Sequence, residues 1–160
     1  MAVIGSSAEP GYAQVTKELD LAAAVLKVKL QHLDVPDPKD TETAFRAAIK
    51  ERAGAVLLLA SPGVNRKQIV ELAAKIRIPT AYWNSEFVEA GGLMYYGPSF
   101  NDLFRRAATY VDKILKGRTP ADLPIEQPMR FEFIINLKAA KQIGLTIPPN
   151  VLVRANEVIR

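Results

Sequence analysis

The chain contains no cysteine, which excludes disulfides, a thiolate nucleophile and any cysteine-ligated metal site. Its single histidine, His32, cannot build a zinc site alone, so no metal and no cofactor is expected. There is no apolar run approaching the ~18 residues of a membrane span. The first residues, MAVIGSSAEPGYAQ, have neither a basic segment nor a long apolar one, so the chain as written shows no secretory signal. Glycine-rich phosphate loops are missing too, because the run from Gly5 to Gly11 lacks both the lysine and the glycine spacing of a Walker or dinucleotide loop. Ser6, Ser7 and Ser61 have no base to activate them. Glu86 and Glu89, three positions apart, read as a cap and a solvated side chain rather than an acid/base couple. No enzymatic activity is expected.

Charge of one sign is scarce as well. The 21 Lys and Arg residues face 17 Asp and Glu, interleaved along every helix, for a net charge of +4. Such interleaving describes solvated faces and not a nucleic-acid surface.

What is present is apolar patterning: 160 residues, 49% of them hydrophobic, enough for one core of ordinary domain size. Ala2–Gly5 reads as a short strand, followed by a polar loop and a helix from Tyr12 to about Leu26 with Val15, Leu19, Ala22 and Ala23 inward. Alternation from Val28 suggests a strand to Val35, although no glycine separates it from the helix. A helix capped by Asp40 or Thr41 carries Ala44, Phe45, Ala48 and Ile49. The continuous run Ala55–Ala60 is the mark of a strand covered on both faces. Ser61-Pro62-Gly63 turns the chain, Asn65 with Gln68 opens another helix, and Ile78–Trp83 is a further strand. Alternating strands and helices with short loops define an α/β fold, an open parallel sheet flanked by helices.

Leu93–Tyr96 makes a short apolar run closed by Gly97-Pro98. Ser99 then caps a long helix, Phe100, Leu103, Phe104, Ala107, Ala108, Val111, Ile114 and Leu115 follow at helical spacing, and Gly117 ends it. A proline-punctuated connector leads to an alternating strand, Arg130–Ile135, and to a short helix capped by Asn136. The spacing of Val151, Leu152, Ala155 and Val158 predicts a last helix over Asn150–Ile159. The tail after residue 98 reads as built to cross something or to pack on another lobe.

In an open parallel sheet, ligands sit outside the carboxyl ends of the strands. Those ends carry Ser6, Ser7 and Glu9, then Asp34–Asp37, then Ser61 and Asn65, then Trp83 and Glu86. They supply hydroxyls, carboxylates, amides and one indole beside helix N-termini. Glu9 or Glu86 suits an ammonium group, and Trp83 offers an apolar or cation–π wall. Taken singly, Ser61, Asn65 and Ser85 are caps and turn formers; as a set at one rim they describe a small-ligand site.

The runs EFVEAGGLMYYGP, FRRAATYVDKILKGRTPADLPIEQP and FEFIINLKAAKQIGLTIPP resemble the substrate-binding proteins of ABC transporters, of the group described as tryptophan/tyrosine-type. The resemblance covers what looks like the C-terminal half of a two-lobed, type I periplasmic binding protein. It implies a Rossmann-like ligand-binding lobe over 1–98, and over 99–160 a crossing helix, connector and tail belonging to the other lobe or hinge. It also implies capture of an amino acid or similar amphiphile outside the cytoplasm, closure by hinge motion and docking on a permease. SSAEPGYAQ matches the family's ligand-side loop, making Ser6, Ser7 and Glu9 contact residues; Ser61 and Asn65 match a later polar loop. Tyr96 lies where the chain returns to the first lobe. The absent lobe implies a fragment, pairing with a separate first lobe, or self-association of the exposed tail. The alternative is a cytoplasmic, flavodoxin-like module that binds an effector or a partner protein.

Overall fold

The structure, a computed structural model, describes residues 1–59, 63 and 65–160. Seven strands form one sheet in the order β2-β1-β3-β4-β5-β6-β7. They are β1 Ala2–Gly5, β2 Gln31–Asp34, β3 Val56–Leu58, β4 Thr80–Tyr82, β5 Met94–Pro98, β6 Phe131–Asn136 and β7 Glu157–Ile159. Strands β1 to β5 run parallel, β6 is antiparallel to β5, and β7 is parallel to β6. The helices are α1 Tyr12–Leu26, α2 Thr41–Lys50, α3 Arg66–Lys75, α4 Glu86–Glu89, α5 Phe100–Leu115, α6 Leu137–Gln142 and α7 Pro149–Leu152. The main core lies between the sheet and α2, α3 and α4, where Ile4, Phe45, Val56, Leu58 and Phe87 are fully buried.

Local chemistry explains most boundaries. Asn65 and Asn136 each accept a hydrogen bond from the N–H three residues on, as N-caps should. Lys27 takes the left-handed C-cap conformation that glycine usually occupies (φ 54°), so α1 ends without one and β2 starts at Gln31 rather than Val28. Along α1 only Ala23 is buried, and Val15, placed inward by its spacing, is exposed.

Two strand assignments differ from the periodic pattern. Gly97-Pro98 does not close β5 early: Pro98 pairs with Phe131, and the ladder continues one step further through Ser99 N–H to the Arg130 carbonyl. Proline is tolerated there because the position ends the strand. The helix expected over 150–159 is a single turn, α7, followed by β7. Asn156 exchanges two hydrogen bonds with the Phe133 backbone, its amide to the carbonyl and its side-chain oxygen from the N–H, and this sets Val158 against Ile135. Pairing with β6 overrides the helical spacing. Residues 131–159, tail-like in sequence, thus supply two strands of the same sheet.

Helix α5 has Ser99 as its cap and a broad apolar stripe, yet it buries no residue. Phe104 is 71% and Leu115 82% exposed. Its contacts are with the connector: Tyr110 donates to the Pro124 carbonyl, and Arg106 pairs with Glu126.

Candidate functional site

The carboxyl ends of the parallel strands share one rim, because parallel strands about 4.8 Å apart all point the same way. β1 and β2 make a hydrogen-bonded corner of it. Ser7 donates its backbone N–H and its hydroxyl to the two carboxylate oxygens of Asp34, each at 2.7 Å. Those bonds, the side-chain one above all, hold the Asp34 carboxyl below its usual range. Tyr12, in the first turn of α1, has its hydroxyl pushed up by burial and then by the Asp34 charge. Its ring lies so close to Gly5 that a Cβ there would stand 2.9 Å from Tyr12 Cε2.

Ser6 and Ser7 face different ways. Ser6 is buried at 3% exposure and its hydroxyl accepts from Ala8 N–H, so it shapes the loop from within, while Ser7 is exposed. Glu9 is half-buried; its backbone closes turns to Ser6 and Tyr12.

Further along the rim, Ser61 lies outside the described residues. Asn65 spends its side-chain oxygen on the α3 cap, which leaves its amide hydrogens to other partners. Glu86 pairs with Arg66 at the start of α3, and the two side chains are half-exposed. The carboxylate that charge alone suggests for an ammonium therefore already faces a cation. Trp83 packs on the main core with its ring edge-on to Phe87, centroids 6.1 Å apart. Its indole Nε1 is buried and has no hydrogen-bond partner among the described residues. Asn84 caps the turn into α4 by accepting from Glu86 N–H.

At the β5 end, Tyr96 is two-thirds exposed and heads an aromatic cluster, 6.0 Å from Phe131 and 5.9 Å from Phe133 between centroids. Phe131 and Phe133 are not recognisable as site residues from the sequence, because only the antiparallel β5–β6 register sets them beside Tyr96. The roles of Asp34 and Arg66 are hidden for a similar reason, since they depend on partners distant in sequence. The one available signal is their position at a strand end and at a helix start.

His32 stands on β2 and meets Asp20 of α1 at 2.8 Å, away from the rim loops. Among the described residues there is no group of three or more His, Cys, Asp or Glu able to hold a metal ion. Nor is any described helix long and apolar enough to cross a membrane. The arrangement offers hydrogen bonds, paired charges and aromatic surface to a small solute.

Comparison with known proteins bears on the family and the fold. The model of a family described as ABC transporter substrate binding protein matches residues 1–159. A conserved domain protein from Vibrio cholerae O1 biovar El Tor is similar, at 25% identity and a TM-score of 0.89 over 98% of this chain and 53% of its own. An ABC domain from Streptococcus pneumonia, solved in complex with L-Trp, shares the fold at 24% identity and a TM-score of 0.84, over 99% of this chain and 55% of its own. A ligand-free, open substrate binding protein with adhesive properties from Clostridium difficile shares it at 18% identity and a TM-score of 0.67, over 99% and 53%. This chain spans about half the length of each. No curated protein matches it.

Proposed function

This chain belongs to the family of ABC transporter substrate binding proteins, and on that premise we propose that it forms the C-terminal ligand-binding lobe of a solute receptor. The solute is small, an amino acid or a similar amphiphile, held at the rim by Ser7, Glu9, Asn65, Trp83 and Tyr96, with Ser6 and Glu86 acting through the loops they brace. The receptor works outside the cytoplasm and passes its solute to an ABC permease. It binds and releases without chemistry.

The observation that carries this proposal is the ordered β1–β2 corner, where an exposed serine is clamped by a charged aspartate at the place where open α/β sheets take their ligands. We also assign α5 and the connector, within 99–160, to a second lobe or hinge, because that helix buries nothing against its own sheet. Residues 1–98 hold strands β1 to β5 and every rim group named here except the Phe131–Phe133 part of the aromatic cluster.

Thermal melting of the chain against single amino acids, L-tryptophan and L-tyrosine among them, tests the proposal. A ligand at 100 times its Kd adds about 2.7 kcal/mol of stability, which is readily seen as a higher Tm. No shift with any amino acid at millimolar concentration would overturn it.

A further inference from the structure

The β1–β2 corner has a fixed hydrogen-bond polarity, and its consequence for ligand choice rests on the solute-binding role proposed for this chain. A carboxylate has no hydrogen to give, so in the 2.7 Å contact between Ser7 Oγ and Asp34 Oδ2 the serine is the donor. A serine hydroxyl owns one hydrogen and two lone pairs. With that hydrogen committed, the exposed Ser7 oxygen can only accept from anything in the cleft. The charge-assisted bond also polarises the hydroxyl and makes its oxygen a better acceptor.

The neighbouring groups have the same bias. The N–H groups of Ser7, Ala8 and Glu9 are taken by Asp34, the Ser6 hydroxyl and the Ser6 carbonyl, and Pro10 has none. Ser6 is buried, and the Glu9 side chain is a carboxylate. A solute carboxylate placed against Ser7 meets its lone pairs and the negative charges of Asp34 and Glu9, with donors left only at the Tyr12 hydroxyl and the first N–H groups of α1. A solute ammonium in the same place meets the Ser7 oxygen and two carboxylates.

We propose that Asp34 is a positioning residue that makes Ser7 an obligate acceptor, so that this corner selects the hydrogen-bond-donating, cationic end of the solute. Asp34 need not touch the solute to do so.

Tryptamine, L-tryptophan and indole-3-propionate test this, since they share an indole and differ in the charged groups they present. The 160-residue chain should bind tryptamine and L-tryptophan at least about tenfold more tightly than indole-3-propionate, a gap of about 1.4 kcal/mol. Asp34→Asn keeps an oxygen for Ser7 N–H but turns amide hydrogens toward Ser7 Oγ, which releases the serine hydrogen to donate outward. That variant should lose most of the preference. Ser7→Ala, which leaves Asp34 in place, should weaken tryptamine and spare indole-3-propionate; it decides the matter if the Asn variant does not fold. An unchanged preference in both variants, with the wild-type chain still binding, overturns the role of Asp34 and leaves the solute-binding role standing. Binding of none of the three by the wild-type chain overturns the selection proposed for this corner, and overturns the solute-binding role as well when no amino acid raises the Tm.

Discussion

Asp34 is exposed, yet its two bonds from Ser7 favour the ionised form, which ties the shape of the rim to pH. The lowered pKa sets the sign. The clamp contributes stability above the ordinary aspartate pKa of about 3.9 and loses it as the pH falls through the lower folded value. Ser7→Ala removes the larger cause of the shift, so the Asp34 carboxyl should titrate at higher pH in that variant, closer to the ordinary value. Carboxyl carbon shifts followed by NMR between pH 2 and 6 would show it, and coincident curves for the two proteins would refute the clamp. This pair could not be read along the chain: Ser7 and Asp34 lie 27 positions apart, and only the parallel β1–β2 register brings them together. The Asn65 cap could be read, because its partner is three residues away and local spacing suffices. Legibility of the site was thus a matter of range.

The same distinction governs whole elements. Strands β1, β3 and β4 and helix α3 follow their apolar patterns because each is buried where its pattern points, and α2 does so at Ala44, Phe45 and Ala48 but not at Ile49, which is exposed. β7 could not be seen, since Val151, Leu152, Ala155 and Val158 satisfy a helical spacing and only β6 supplies the competing partner. Helix α5 is the opposite case: the pattern is right and the helix forms, but among the described residues only the connector touches it and none of its stripe is buried. Two truncations should separate pattern from burial. Ile135→Ala, at a position with no exposed surface, should cost about 2–5 kcal/mol. Val111→Ala, on the open face of α5, should stay within about 0.5 kcal/mol. Urea unfolding of the two variants measures both, and a cost at Val111 comparable to that at Ile135 would mean that α5 is packed after all.

For the molecule as a whole, the exposed Phe104, Val111, Leu115, Ile125 and Met129 make an apolar surface of the kind that marks an interface or an aggregation hazard. The 160-residue chain alone should therefore bind a hydrophobic dye and associate as its concentration rises. Light scattering that finds a monodisperse monomer with no dye uptake would show that the stripe is sheltered. The way this surface is attached has a consequence for engineering. The chain leaves the sheet at Pro98 and re-enters at Phe131, residues paired across an antiparallel ladder, and Ser99 N–H meets the Arg130 carbonyl at 2.8 Å. Everything from 99 to 130 is topologically a single long hairpin loop. A tight turn of two residues such as Asn-Gly closes an antiparallel pair of this kind, so the excursion can be excised as a cassette and the lobe rejoined at its own seam. A miniature sheet with an unaltered strand order, folding on its own and carrying the rim intact, is the product the topology allows. If its circular dichroism and cooperative melting were lost, the excursion would be part of the lobe's foundation rather than an attachment to it.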